Sequence, residues 1–119
     1  MKRTVLIVDD HDGFRRLARK VLEQGGFNVV GEAADGAGVL PAVAALKPDV
    51  VLLDVVLPDS DGFAIAERLR SEGTPPIVVL TSSRDRADLG ARVESPAAPR
   101  FLPKSDFSSA ALEALLEVR

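Results

Sequence analysis

Acidic, hydroxyl and basic side chains stand directly after short aliphatic runs in this chain. Asp9-Asp10 follow Val5-Leu6-Ile7-Val8, and Asp54 follows Val50-Val51-Leu52-Leu53. Thr81, with Ser82 and Ser83 behind it, follows Ile77-Val78-Val79-Leu80, and Lys104 closes the run that begins Phe101-Leu102. A carboxylate can act as a nucleophile and become an acyl phosphate. Carboxylates combined with water and phosphate oxygens suit Mg²⁺. A lysine offsets the charge of a transferring phosphoryl group. Asp9, Asp10 and Asp54 at contact distance could not all stay ionised without a counter-ion, and one lysine does not balance them. A hard divalent cation would.

Each position also has an ordinary explanation, because polar residues commonly end strands and aspartate favours turns. That explanation covers any one position better than four strand ends together. Asp54 is the sharpest case. It is the lone acid among the seven aliphatics of Val50 to Leu57, and an acid in such surroundings needs a partner or a metal.

Alternating strands and helices would bring these residues together. Strands are expected at Val5–Val8, Phe27–Ala33, Val50–Leu53, Ile77–Leu80 and from Phe101. Phe14, Leu17, Ala18, Val21 and Leu22 recur at helix spacing, and Gly25-Gly26 ends that helix. Gly36–Leu46 reads as a weaker helix that contains Pro41 and starts late, near Leu40. Gly62–Ser71 reads as a helix with Asp61 as N-cap, and Arg86–Glu94 as a poor one. A last helix is capped by Ser108, with Leu112, Leu115 and Leu116 on one face and Phe107 stapled on Leu112. Aliphatic strands alternating with helices imply a (βα)₅ doubly wound, flavodoxin-like fold with a parallel sheet covered on both faces. Pro103 cannot donate to a ladder, so the fifth strand should lie at an edge. The order 2-1-3-4-5 satisfies this. It makes strands one and three neighbours at the switch point, where such sheets place their sites.

Composition narrows the function classes. With 119 residues the chain reads as one domain, residues 1–119. A net charge of −3 supplies no basic field for nucleic acid. The absence of cysteine excludes disulfides, thiolate metal sites and a cysteine nucleophile, and the single histidine excludes paired-histidine metal sites. No apolar run approaches the length of a membrane span, and the start is too short for a signal-peptide core. A cytoplasmic location is the expectation.

The set Asp9-Asp10, Asp54, Thr81, Phe101 and Lys104 resembles the receiver domain of two-component response regulators, over the whole chain. The segment Asp9-Asp10-His11-Asp12-Gly13-Phe14-Arg15 is most similar to regulators that carry a LuxR-type helix-turn-helix. The resemblance implies that Asp54 accepts a phosphoryl group from a phosphohistidine of a sensor histidine kinase or phosphotransfer protein. It implies Mg²⁺ held by Asp9, Asp10, Asp54 and the backbone carbonyl of Val56. Thr81 would hydrogen-bond the phosphoryl group, Lys104 would pair with it, and Thr81 and Phe101 would form the switch. Output would pass to an attached domain or a partner protein, or to a second copy in a homodimer, through the face of the fourth helix, fifth strand and fifth helix. Such a domain is not an enzyme beyond its own phosphorylation and dephosphorylation. Both a stand-alone regulator and one domain of a longer protein fit the resemblance.

Some positions depart from that pattern. Ser105 rather than proline follows Lys104, so no cis peptide is expected there. Pro96 and Pro99 break the fourth helix early. His11 reads as an ordinary loop histidine. Arg15, Arg16, Arg19 and Lys20 read as a solvated helix face, and Phe14, Phe27, Phe63 and Phe107 as core or staple residues. Two rival readings are a binding module that never takes phosphate and a phosphatase of the haloacid dehalogenase type. The second would need an aspartate at position 56, where the chain has Val56.

Overall fold

The aliphatic runs become the strands of one sheet. A computed structural model describes residues 2–83 and 100–117. Its elements are β1 (Thr4–Val8), α1 (Asp12–Gln24), β2 (Asn28–Ala33), α2 (Val39–Leu46), β3 (Val50–Asp54), α3 (Gly62–Arg70), β4 (Ile77–Ser82), β5 (Arg100–Pro103) and α4 (Ser109–Leu116). The five strands run parallel in the order β2-β1-β3-β4-β5. The expected helix at 86–94 and the segment with Pro96 and Pro99 lie outside the described residues.

Strand alternation sends successive side chains to opposite faces. On one face Leu6, Val8, Val51, Leu53, Val78, Leu80 and Phe101 meet Val39 of α2 and Ile65, Ala66 and Leu69 of α3. On the other, Val5, Ile7, Val50, Leu52, Val79 and Leu102 meet Ala18 and Leu22 of α1 and Leu112 and Leu116 of α4. Both faces of β1 and β3 are therefore apolar, as an inner strand of a two-sided sheet requires.

Several boundaries follow from local chemistry. Gly26 adopts φ +94° after α1, a left-handed turn suited to glycine. Phe27 then donates its N–H to Leu22 O at 2.9 Å. Phe27 thus closes the helix instead of opening β2, one residue short of the sequence expectation. Pro41 falls in the first turn of α2, where the helix needs no N–H from it. A short 3₁₀ turn, Gly36–Gly38, precedes it. The Asp61 side chain accepts from Phe63 N at 2.8 Å, and the Ser108 hydroxyl accepts from Ala111 N at 3.0 Å, so both expected N-caps form. Phe107 packs on the same cluster as Leu112. β5 is an edge strand, with Pro103 opposite Ser82, and the described peptide bonds are all trans.

The turn after β3 is the tightest part of the scaffold. Gly62 donates to Val55 O at 2.7 Å, and Val56 bridges Asp61. A Cβ on Gly62 would stand 2.8 Å from Val55 Cα and closer still to the carbonyl oxygen of Asp54. Backbone atoms cannot swing aside, so Gly62→Ala is expected to lower stability by about 1–3 kcal/mol, as overpacking does. Urea unfolding curves of the two proteins would measure it, and equal midpoints would contradict this account of the turn.

Candidate functional site

The carboxyl ends of β1, β3 and β4 carry the site. Asp9, one residue beyond β1, is anchored by its N–H to Ala33 O at 3.0 Å. Asp54 is the last residue of β3 and pairs in register with Thr81 of β4. Val55 N–H donates to Thr81 O at 2.9 Å, which ties these two strand ends together. Lys104 follows β5 at the start of a 3₁₀ turn. Asp9 is 1% exposed, Asp54 4% and Thr81 1%.

Lys104 Nζ lies 2.7 Å from Asp9 Oδ2 and 3.4 Å from Asp54 Oδ2. One ammonium therefore serves two buried carboxylates. Its contact with Asp9 is an ion pair outside hydrogen-bond angles, which leaves Asp9 Oδ2 without a hydrogen bond among the described residues. The backbone N–H of Val56 donates to Asp54 Oδ1 at 3.2 Å. Asp10 and His11 complete the group. One ligand-type atom from each of Asp9, Asp10, His11 and Asp54 lies within 4.8 Å of the others. The Thr81 hydroxyl is buried beside them in register and has no hydrogen-bond partner among the described residues. The carbonyl of Val56 likewise accepts no hydrogen bond among them. Buried polar atoms without partners cost stability, and here two of them belong to the acidic end of the sheet. This donor set fits a hard divalent cation, since three carboxylates gather there and, among the described residues, one lysine pairs with two of them.

The fold thus brings Asp9, Asp10, Asp54, Thr81 and Lys104 to one end of the sheet. Phe101 stands apart from them. Its ring lies in the core with Leu80 and is 4% exposed, so it already holds an inward position. Three residues read as ordinary in the sequence belong to the site's surroundings. The Phe14 ring lies 4.6 Å from Lys104 Nζ, a cation–π contact, and meets Phe107 edge-on at 5.5 Å. Arg15 leaves the solvated face expected of it. Its guanidinium is largely covered, donates to the Asp9 carbonyl at 2.5 Å, and pairs with Asp12 and with Glu32 at 3.0 Å. His11 Nδ1 stands 3.0 Å from Asp9 Oδ1. Only the adjacency of His11 and Arg15 to Asp9-Asp10 hinted at this. A separate cavity of about 600 Å³ lies at the opposite end of the sheet, lined by Lys47, Pro48, Thr74 and Pro75 among others, and none of the acids above reaches it.

This arrangement is that of a doubly wound α/β domain with an acidic crevice at its topological switch point. The chain belongs to the response regulator receiver domain family, which it matches over residues 5–117. It is 37% identical to the transcriptional regulatory protein NarL of Mycobacterium tuberculosis over 117 residues, 98% of this chain and 54% of that protein. It is 42% identical to a protein-glutamate methylesterase/protein-glutamine glutaminase of Hahella chejuensis over 84 residues, 71% of this chain and 24% of that protein. The chain therefore spans between a quarter and about half of the length of these curated relatives. Among solved structures it resembles the signal receiver domain of NarL from Mycobacterium tuberculosis, with a TM-score of 0.83, 34% identity and 98% of each chain covered. It also resembles a CheY-like receiver domain from Methylobacillus flagellatus, with a TM-score of 0.82, 27% identity and 98% of each chain covered.

Burial is the chief cause that holds the Asp54 carboxyl above its ordinary 3.8, followed by the charge of Asp9; the Val56 N–H and Lys104 oppose them. Above 3.8 the folded state retains a proton that the unfolded chain releases. Stability therefore falls as pH rises through the interval between the two values and stays lower above it. In metal-free buffer at neutral pH, Asp54→Asn should melt at a higher temperature than the parent. The gap should close as pH falls below 3.8. Thermal melts across this pH range check the sign, and an equal or lower melting temperature for the variant at neutral pH would contradict it.

Proposed function

We propose that this receiver domain is a phosphorylation-controlled switch with Asp54 as its phospho-acceptor. The observation that carries the reading is the pair of buried carboxylates, Asp9 and Asp54, sharing the Lys104 ammonium. The orphaned Thr81 hydroxyl at the adjoining strand end adds to it. A carboxylate oxygen of Asp54 attacks the phosphorus of a phosphohistidine on a sensor kinase or phosphotransfer protein. The P–N bond breaks, and its electron pair leaves with the imidazole. Mg²⁺, held by Asp9, Asp10, Asp54 and the Val56 carbonyl, would neutralise charge on the phosphoryl oxygens. Lys104 exchanges its carboxylate contacts for a phosphoryl oxygen, a charge-assisted pairing. The Thr81 hydroxyl donates to another phosphoryl oxygen and so finds the partner it lacks.

The signal is the change in those contacts, since only interactions that differ between two states can shift a population. Thr81 is the nearest group that must move. Phe101, already inside, registers that movement by repacking within its cluster and not by swinging in from solvent. The reading makes the domain a signalling element and not an enzyme acting on other molecules. The attacking-water position of a phosphatase gains nothing from Val56, whose aliphatic side chain is 61% exposed. Among the described residues no helix is long and apolar enough to cross a membrane. We place the domain in the cytoplasm, with residues 1–119 as one receiver unit. Its partners are the phosphodonor and an output domain, a partner protein or a second copy.

With Mg²⁺ and acetyl phosphate, the intact mass should rise by one phosphoryl group. The adduct should be labile to hydroxylamine, as an acyl phosphate is, and Asp54→Asn should abolish it. An adduct that persists in Asp54→Asn would move the acceptor elsewhere.

Thr81→Ala should still take phosphate but lose the coupled response of Phe101. The ring signals of Phe101 on adding beryllofluoride and Mg²⁺ report this. A wild-type response in the variant would remove Thr81 from the switch.

A further inference from the structure

Of the four ligand-type residues grouped in the crevice among the described residues, His11 is the one that neither the carboxylate chemistry nor the phosphoryl transfer above employs. We propose that its Nδ1 is an additional metal ligand, which makes this crevice favour first-row ions that accept imidazole, such as Ni²⁺ and Zn²⁺, over Mg²⁺. The inference rests on the reading of Asp9, Asp10 and Asp54 as metal ligands.

Geometry supports it first. Nδ1 lies 3.0 Å from Asp9 Oδ1 and 3.2 Å from Asp10 Oδ1. Adjacent ligands of an octahedral ion, each about 2.1 Å from the metal, stand roughly 3.0 Å apart. The imidazole nitrogen thus stands at that spacing from each carboxylate oxygen, and the donor atoms of the group all lie within 4.8 Å of one another. A second observation points into the same crevice: Asp9 is almost wholly buried and its Oδ2 has no hydrogen bond among the described residues, although the out-of-line Lys104 ammonium lies 2.7 Å away.

Ligand chemistry then decides which ion benefits. Carboxylates, carbonyls and water suit Mg²⁺, whereas imidazole suits Ni²⁺ and Zn²⁺, and intrinsic affinities rise toward those ions. Adding one nitrogen to an all-oxygen set therefore raises transition-metal affinity while doing little for Mg²⁺. To serve in this way His11 exchanges its Nδ1 contact with Asp9 Oδ1, 3.0 Å, for the metal. It occupies the N-cap position of α1 without a side-chain capping bond, and its side chain is mostly exposed. The competing explanation is a plain hydrogen bond or ion pair in which an Nδ1–H sits against the two acids. The two explanations predict opposite signs. A ligand lost weakens Ni²⁺ and Zn²⁺, whereas a competing donor lost leaves every divalent ion bound as before or more tightly.

The experiment is calorimetric titration of the intact chain and its His11→Ala variant with Mg²⁺ and, separately, with Ni²⁺. Long-range ¹H–¹⁵N spectra of the imidazole are recorded during addition of Zn²⁺. The chain has a single histidine, so those signals belong to His11. His11→Ala should weaken Ni²⁺ binding by at least about tenfold, the loss seen even when a residue that only supports a ligand is removed. It should leave Mg²⁺ binding unchanged or slightly tighter. The Nδ1 signal should shift in proportion to bound Zn²⁺, and Asp10→Ala should abolish both the shift and the Mg²⁺ heat. Ni²⁺ binding that is equal or tighter in His11→Ala, with Mg²⁺ still lost in Asp10→Ala, overturns this inference and leaves the metal site standing. Failure of Mg²⁺ to bind the parent chain removes the metal site and this inference with it.

Discussion

Two carboxylates buried a few ångströms apart, with one ammonium between them, set the terms for the rest of this structure. Asp9 and Asp54 could not be held together by an apolar sheet alone, because each carboxylate left water for a site where desolvation disfavours its charge. Lys104 is the counter-charge, and it must arrive from the far end of the chain. β5 delivers it, Phe14 supports the ammonium from below, and Phe107 presses on Phe14 from the start of α4. The C-terminal turn and helix are therefore part of the electrostatics of a site whose acids come from the first half of the chain.

Well-made polar contacts brace the scaffold at both ends of the sheet. At the end opposite the crevice Thr4 and Asp49 exchange hydrogen bonds, with Thr4 N–H donating to Asp49 Oδ2 at 2.9 Å and Asp49 N–H to Thr4 Oγ1 at 2.9 Å. The Asp59 carboxylate accepts from Gly36 N at 2.7 Å and Ala37 N at 2.9 Å, fastening the loop after β3 to the turn before α2. Those two bonds hold its carboxyl below the usual carboxylate range. Paired polar groups brace the frame, while a hydroxyl and a carboxylate oxygen without hydrogen bonds among the described residues, and a carboxyl held above its ordinary value, collect at the switch point. A site that trades stability for a ligand has this distribution. Local violations of good polar bookkeeping mark where function is expected.

The neighbours of the acid pair show how a short segment acquires several roles at once. Asp9 Oδ1 accepts from His11 N at 2.9 Å, so the turn after β1 folds back on its own carboxylate. That turn brings His11 to the crevice, and Arg15, one turn into α1, reaches the Asp9 carbonyl. Arg15 also binds Glu32 of β2, which Arg19 contacts at 2.8 Å. The edge strand and first helix are thereby clamped around the loop that carries the acids.

Much of this was legible in the amino-acid sequence. Strand and helix periodicity, Gly25-Gly26, the Asp61 and Ser108 caps and Pro103 at an edge specify the order of elements, because each is a local preference of a few residues. The acids, Thr81 and Lys104 were recognisable because charge after an aliphatic run has few explanations, and the parallel order places such residues at one end. What periodicity could not supply was everything set by contacts between distant segments. The covering of Arg15, the seating of Phe14 under Lys104, the approach of His11 to Asp9 and the inward packing of Phe101 each depend on where another element lies. The one-residue shift of Phe27 out of β2 depends on a helix-closing hydrogen bond. Side-chain direction at those positions is decided by burial and charge pairing across the fold, and a run of letters does not contain the partner's position.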